Sequence, residues 1–566
     1  MLRLVAGQVE SLWDEVVPVG VRELPDDLAA LDVLLRDPAL LAPIAAFWER
    51  ESAAGRASVG YGRPTIAIET YVRLMVIKHR TGWGYETLVR EVSDSLHLRR
   101  FCLIALGERV PEESTVRKLT RRLGGAVIDE LARLVIEKAA RETRFRARAV
   151  RIDSTVVEAD VRYPTDSGLT LDGVRVLVRE SRRVTLKVGA GVGRVVDRSR
   201  ALGRRLRLIS RTLARRTGER KAEVLALTEQ AGRLLSKSIG EARRQAVLAR
   251  RRARGRGARA KLAAIERLEE MTDRAERVVT QINLRLAGEP IADRLVSMFD
   301  PDARPIRKGK LGKPNEFGYV TQICEVTEHT KRGARGFILP PSMVLGNPQE
   351  HTLLPATISE LNRLGLRPRE VALDGGFQGR LIEETLSGLA PQRVFIAGRQ
   401  QPGSLRTQRR LARYRTGAEG RISHLKREYG LDRSRLKGEH GTRAWNAWAI
   451  ATYNLDTLAI RTTWNHPPAR PETSTICPER PRRQSTRPLW LTTVNPGQVD
   501  SGLAAARVAF MDPPRRDRRR RGRIVAATLR RAPRARRSAP QRRAATPPRR
   551  SSPPTSARHA GAPPPR

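Results

Sequence analysis

The sequence predicts an α/β domain with a long helical insertion, preceded by an all-α region and followed by a tail that builds no core. Three observations carry this reading. After about residue 146, short β-branched runs and helical patterns follow in the order strand, insertion, two strands, helix, strand, helix, strand, helix. Between the first and second strands, residues 165–293 are charged and rich in helix formers. From about residue 466 the composition is dominated by Pro, Arg, Ser and Ala. The chain of 566 residues thus divides into a helical region at 1–145, an α/β domain at 146–465 with its insertion near 165–293, and a tail at 466–566.

The helical region opens the series. "TIAIETYVRLMVIKHRTGWGYETLVREV" has apolar residues at helical spacing, broken at Gly82 and Gly84. "PEESTVRKLTRRLGG" predicts a second helix, with Ser114 as N-cap and Gly124 as stop. Its cations Arg117, Lys118 and Arg121 make a helix-turn-helix DNA reader one reading. A solvated basic helix in a small bundle is the other.

The run Val150–Val157 predicts the first strand. The insertion predicts a helical hairpin or bundle without sustained heptads. "GYVTQICEVTEHTKRGARGFILPPSMVLG" predicts an antiparallel pair around a Lys-Arg-Gly turn. "EHTLLPATISELNRLGL" is an amphipathic helix, and "REVALDGGF" a buried strand ending at Asp374. "GRLIEETLSGL" is helical, "RVFIAG" a strand, and residues 416–429 a helix. "RAWNAWAIATYNLDTLAI" is a core helix with Trp445, Trp448 and Tyr453 inside, and Cys324 is a buried strand residue.

Composition limits the function. Lys and Arg total 108 against 60 Asp and Glu, a formal charge of +48, which calls for a polyanionic partner. Aromatics at 4% weigh against base stacking on single strands. Cys102, Cys324 and Cys477 form no CxxC pair, so neither a zinc ribbon nor a disulfide framework is expected. No apolar run reaches membrane-spanning length and no signal peptide is read, so a cytosolic protein away from membranes is expected. The tail contains no lysine and half of the chain's 36 prolines. It is expected to be disordered, either as a DNA-binding arm or as translation past an earlier stop.

Three carboxylates stand at ordered positions: Asp153 in the first strand, Asp374 before Gly375–Gly376, and Glu419 on a later helix. Ligands of α/β sheets gather at the carboxyl ends of strands. Three hard oxygen donors there suit Mg²⁺ or Mn²⁺ and phosphodiester chemistry. Arg415 and Lys426 lie four residues before and seven after Glu419, on the same helix face. The bland reading makes Thr416 and Glu419 a capping box and the aspartates turn formers.

These residues resemble the bacterial insertion-sequence transposases of the DDE type, which have an RNase H-like catalytic domain. The resemblance rests on "RIDSTVVEADVRYPTDSG", "VALDGGFQG" and "RTGAEGRISHLKREYGL", with "DPDARPIRKGKLGKPNEFGY" similar to the second-strand region. The family spacing of Arg, Glu and Lys is met by Arg415, Glu419 and Lys426. The family's Tyr position is Ala412, and Tyr414 lies two residues away. The resemblance covers roughly residues 40–460. It implies Asp153, Asp374 and Glu419 as catalytic metal ligands for Mg²⁺ or Mn²⁺. It implies DNA contacts by Arg415, Lys426 and Arg421, double-stranded DNA as substrate and target, and a homo-oligomer assembled on DNA. His424 is read as a surface histidine. The rival expectations are a decayed DNA-binding protein and a metal-dependent nuclease that cuts without joining.

Overall fold

The computed structural model describes residues 23–55, 66–213, 218–310, 313–377, 380–399 and 403–465, with three isolated positions before residue 23. The chain divides into two units, Met1–Thr473 and Ser474–Arg566. All elements below belong to the first; the tail lies outside the described residues.

The helical region comprises α1 (Asp26–Leu35), α2 (Pro38–Ala53), α3 (Ile68–Thr81), α4 (Tyr85–Asp94), α5 (Leu96–Phe101) and α6 (Glu113–Glu142). Asp37 caps α2 through the Ala39 amide, and Gly82 ends α3 in the left-handed conformation. Two expectations are corrected. Glu112, not Ser114, is the N-cap of α6, and no side chain caps that end. Residues 102–112 separate α5 from α6, too long for the tight turn of a helix-turn-helix. Gly124 does break the helix. Its φ is 72°, and a Cβ there would lie 2.6 Å from the ring of His440.

The α/β part begins with β1 (Ala149–Ala159), buried along its length except at Glu158, as befits a central strand. The insertion follows as α7 (Asp166–Val188), α8 (Ser199–Leu213), α9 (Gly218–Arg252) and α10 (Ala258–Ala287). Then come β2 (Arg304–Lys310), β3 (Lys313–Thr327), β4 (Phe337–Ile338), β5 (Ser342–Val344), α11 (Leu354–Arg363), β6 (Glu370–Leu373), α12 (Arg380–Ser387) and β7 (Arg393–Ile396). The described chain ends with α13 (Leu405–Glu428), β8 (Arg433–Ser434) and α14 (Gly438–Asn465).

One mixed sheet runs β2-β3-β1-β6-β7. β3 is antiparallel to both β2 and β1, whereas β6 and β7 run parallel to β1. β4 and β5 pair with β3 and β8 pairs with β1. Buried residues of α1–α6, the sheet and α14 form one core, including Tyr71, Val150, Leu373 and Trp448. The insertion has a separate core around Leu177, Leu235, Ile265 and Met271. The fold is therefore mixed α/β and mostly helical.

Candidate metal and phosphodiester site

Register places the two aspartates. β1 and β6 pair in parallel up to Ile152↔Leu373. The next residues on the two strands are Asp153 and Asp374, side by side at the strand spacing of about 4.8 Å. The third carboxylate arrives on α13, which starts at Ser404, whose side chain accepts the Thr407 amide. The helix thus begins well before residue 416. Thr416 lies inside it and returns its hydroxyl to the Ala412 carbonyl. That removes the capping-box reading of Glu419.

The three carboxylates converge on the Arg415 guanidinium. Its nitrogens lie 2.7 Å from Asp374, 2.9 Å from Glu419 and 3.9 Å from Asp153. The Asp153 side chain is 10% exposed and that of Glu419 60%, so the group runs from the sheet interior out to solvent. Burial pushes the Asp153 carboxyl above the usual range, opposed by the Ser154 amide and Arg415 and reinforced by Asp374 and Glu419. Further along the same helix face, Lys426 Nζ donates to the Val156 carbonyl of β1 at 2.8 Å. Among the described residues no three Asp, Glu, His or Cys side chains are gathered at metal-ligating separation. The guanidinium takes the central place, a cation standing among hard oxygen donors.

The remaining cations separate into two groups. Arg117, Lys118 and Arg121 are exposed on the first half of α6, and Arg117 pairs with Glu113. Arg421 instead points inward, with Nε 2.9 Å from Glu325. Glu325 also pairs with Arg151 at 2.6 Å, and Arg151 donates to the Tyr414 and Ala334 carbonyls. A Cβ at Gly417 would lie 2.0 Å from Arg151 Nη1, so this glycine leaves the room that the Arg151 guanidinium takes. This network ties α13 to β1 immediately beside Asp153 and Arg415. Sequence reasoning missed Arg151 and Glu325, although charged residues inside apolar strands were visible.

Tyr414 is a core residue, its hydroxyl 2.6 Å from Thr327 Oγ1. His424 is half-buried against the rings of Tyr429 and Tyr453, and burial lowers its pKa. Trp445, Trp448, Tyr453 and Cys324 are buried as expected. Beyond Asp374, a groove of about 660 Å³ is lined by Arg307, Gln349, Glu350, His351 and Gly375–Gly376. A Cβ at Gly376 would meet Glu350 Oε2 at 2.5 Å, so Glu350 fills the room that this glycine leaves.

Residues 29–122 match the family model described as "Transposase domain (DUF772)". The match takes in most of α1, α2–α5 and the basic start of α6. The chain is also 26% identical over 149 residues to "Uncharacterized protein ORF8 in nfe locus" of Rhizobium meliloti, covering 25% of this chain and 72% of that protein. No solved structure matches. The family match supports a relation to transposases through residues 29–122. No described helix is long and apolar enough to cross a membrane.

Proposed function

We propose that this protein is a DDE transposase that cuts DNA at the inverted-repeat ends of its own element and joins the 3′ ends to target DNA. The observation that carries this is the convergence of Asp153, Asp374 and Glu419 on one cation. The transposase-domain match supplies independent support, and a mixed sheet with the first carboxylate on its central strand is consistent with an RNase H-like catalytic domain.

The donor set fits Mg²⁺ or Mn²⁺: carboxylate oxygens only, graded from buried to exposed, with a cation already drawn among them. Asp153, Asp374 and Glu419 are the residues to hold it. Bound there, the metal would make a water or a 3′-hydroxyl a stronger nucleophile and stabilise the leaving oxygen. The protein's own residues do the positioning. Asp153 is fixed by the sheet and the Ser154 amide. Arg415, released from the carboxylates, becomes a forked donor for phosphate. Lys426 keeps α13 seated on β1 through Val156. Exposed Arg117, Lys118 and Arg121 on α6 offer phosphate contacts at a second place on the molecule.

The test of joining supplies pre-cut element ends with free 3′-hydroxyls, a plasmid target and Mg²⁺. Covalent end–plasmid products are expected. Cleavage of intact ends without joining would reduce the protein to a nuclease.

A further inference from the structure

We infer that the exposed face of α8 in the helical insertion is a sequence-independent docking surface for the phosphate backbone of duplex DNA. This deepens the proposed function and rests on that reading for its biological meaning, although the surface can be tested without any chemistry.

The helix itself makes the argument. α8 contains five arginines and no acidic residue. Arg200, Arg204, Arg207 and Arg211 stand at i, i+4, i+7 and i+11, which is one face, and all four are exposed. The opposite face buries Leu202, Ile209 and Thr212 in the bundle. The stripe extends about 16 Å along the helix axis. At about 3.4 Å per nucleotide along one strand, that is the length of roughly five nucleotides.

The neighbouring helices handle charge differently. On α9 and α10, most arginines are matched with acids, as in Arg233–Glu229, Arg243–Glu276 and Arg250–Glu269, with Arg244, Arg251 and Arg259 among the exceptions. Among the described residues, no carboxylate pairs with any of the four α8 arginines. The acid nearest in sequence is Asp197, and it accepts the Ser199 amide at the start of the helix. Its carboxyl is held below the usual range by Ser199 first and then by Arg182 and Arg175 of α7. Both arginines are exposed, so the basic surface extends past the end of α8 onto α7.

Four like charges on one face repel each other and weaken an isolated helix. A polyanion relieves that repulsion. The face offers arginine forks but no Asn, Gln, Asp or Glu, so it grips backbone and does not hold a full base-reading set. The exposed Leu208 and Leu213 nearby raise the contrasting case of an anionic membrane surface, and the test separates the two.

The experiment measures anisotropy of a labelled random-sequence 30-base-pair duplex with the full chain across a NaCl series. Wild type is compared with Arg200→Gln/Arg204→Gln/Arg207→Gln/Arg211→Gln. The control carries Arg233→Gln/Arg243→Gln/Arg250→Gln, on matched arginines of the same bundle. The stripe variant is expected to bind roughly 10-fold to 100-fold more weakly, and its log-affinity against log-salt slope to fall by about 3. The control is expected to bind within about threefold of wild type. An unchanged slope in the stripe variant, or an equal loss in the control, overturns the proposal. So does a loss seen only on phosphatidylserine vesicles. Circular dichroism confirms that each variant is folded. A parallel cleavage assay keeps the two readings apart. Intact cleavage with unchanged binding removes the α8 surface alone, whereas absent wild-type cleavage with lost stripe binding removes the catalytic reading alone.

Discussion

Arg415 and Asp374 form an ion pair of 2.7 Å across the gap between α13 and the end of β6. The same guanidinium reaches Glu419 and Asp153, so one side chain offsets part of the negative charge of the candidate site. An arginine in that place competes with a divalent cation for the same oxygens. Arg415→Gln is therefore expected to be destabilised by about 1 kcal/mol without metal, since the pairs are partly solvated. Adding Mg²⁺ should raise its melting temperature more than that of wild type. Melts with and without Mg²⁺ check this, and an equal Mg²⁺ response in both proteins would count against competition.

Asp153 has a different balance. Its carboxyl is raised by burial, so its folded pKa lies above the ordinary 3.8. The folded chain then holds the extra proton, and stability falls as pH rises from 3.8 through the folded value. Asp153→Asn keeps the acceptor for Ser154 and removes the buried charge. At pH 7.5 without metal it is expected to be at least as stable as wild type, by up to about 1 kcal/mol, while losing cleavage. A clear loss of stability in denaturant melts would show that the charge is not penalised where it sits.

The interior network should behave oppositely. Glu325 is 1% exposed and pairs with both Arg151 and Arg421. Glu325→Ala would leave two guanidinium groups deep in the domain without their carboxylate. A loss of about 3–5 kcal/mol is expected. Urea unfolding measures it, and a change under about 1 kcal/mol would mean that the network contributes little.

How much of this was legible follows from what each residue type reveals by itself. The strands at β1, β3, β6 and β7 read correctly because their β-branched and apolar residues cluster in short runs bounded by turn residues. β2 was reached only through the resemblance of "DPDARPIRKGKLGKPNEFGY" to a second-strand region, because "RPIRKGK" is charged and is held as a strand by its pairing with β3. The first part of α13 was missed for a similar reason. "LRTQRRLARYR" buries only Leu411 and Tyr414, too few to show a helical period. Asp153, Asp374 and Glu419 could be singled out from strand ends and spacing. The direction of Arg421 could not, since it is decided by Glu325 on another strand. The kink at Gly124 was visible as a helix breaker, but the ring of His440 that packs against it comes from α14.

Lys78 gives a pH dependence. It is 1% exposed, with its ammonium 3.9 Å from the Trp445 ring centroid and 4.7 Å from that of Tyr85. Burial, with Arg435 nearby, brings its pKa down from 10.5 to about 7. Between these values the unfolded chain binds more protons, so this side chain makes stability rise with pH, by at most about 1.4 kcal/mol per unit. Unfolding free energies at pH 7 and pH 9 are expected to show a larger gain in wild type than in Lys78→Met. Equal gains would mean that Lys78 stays charged in the folded protein up to pH 9.

The most direct measurement of the central claim maps new 3′ ends at nucleotide resolution. Purified protein is incubated with Mg²⁺ and the DNA flanking its gene, with Glu419→Gln alongside. Discrete nicks at the element's edges are expected from wild type, reduced roughly a thousandfold or more in the variant. Binding without nicks, or nicks that survive Glu419→Gln unchanged, would contradict the assignment of Asp153, Asp374 and Glu419 as one catalytic site.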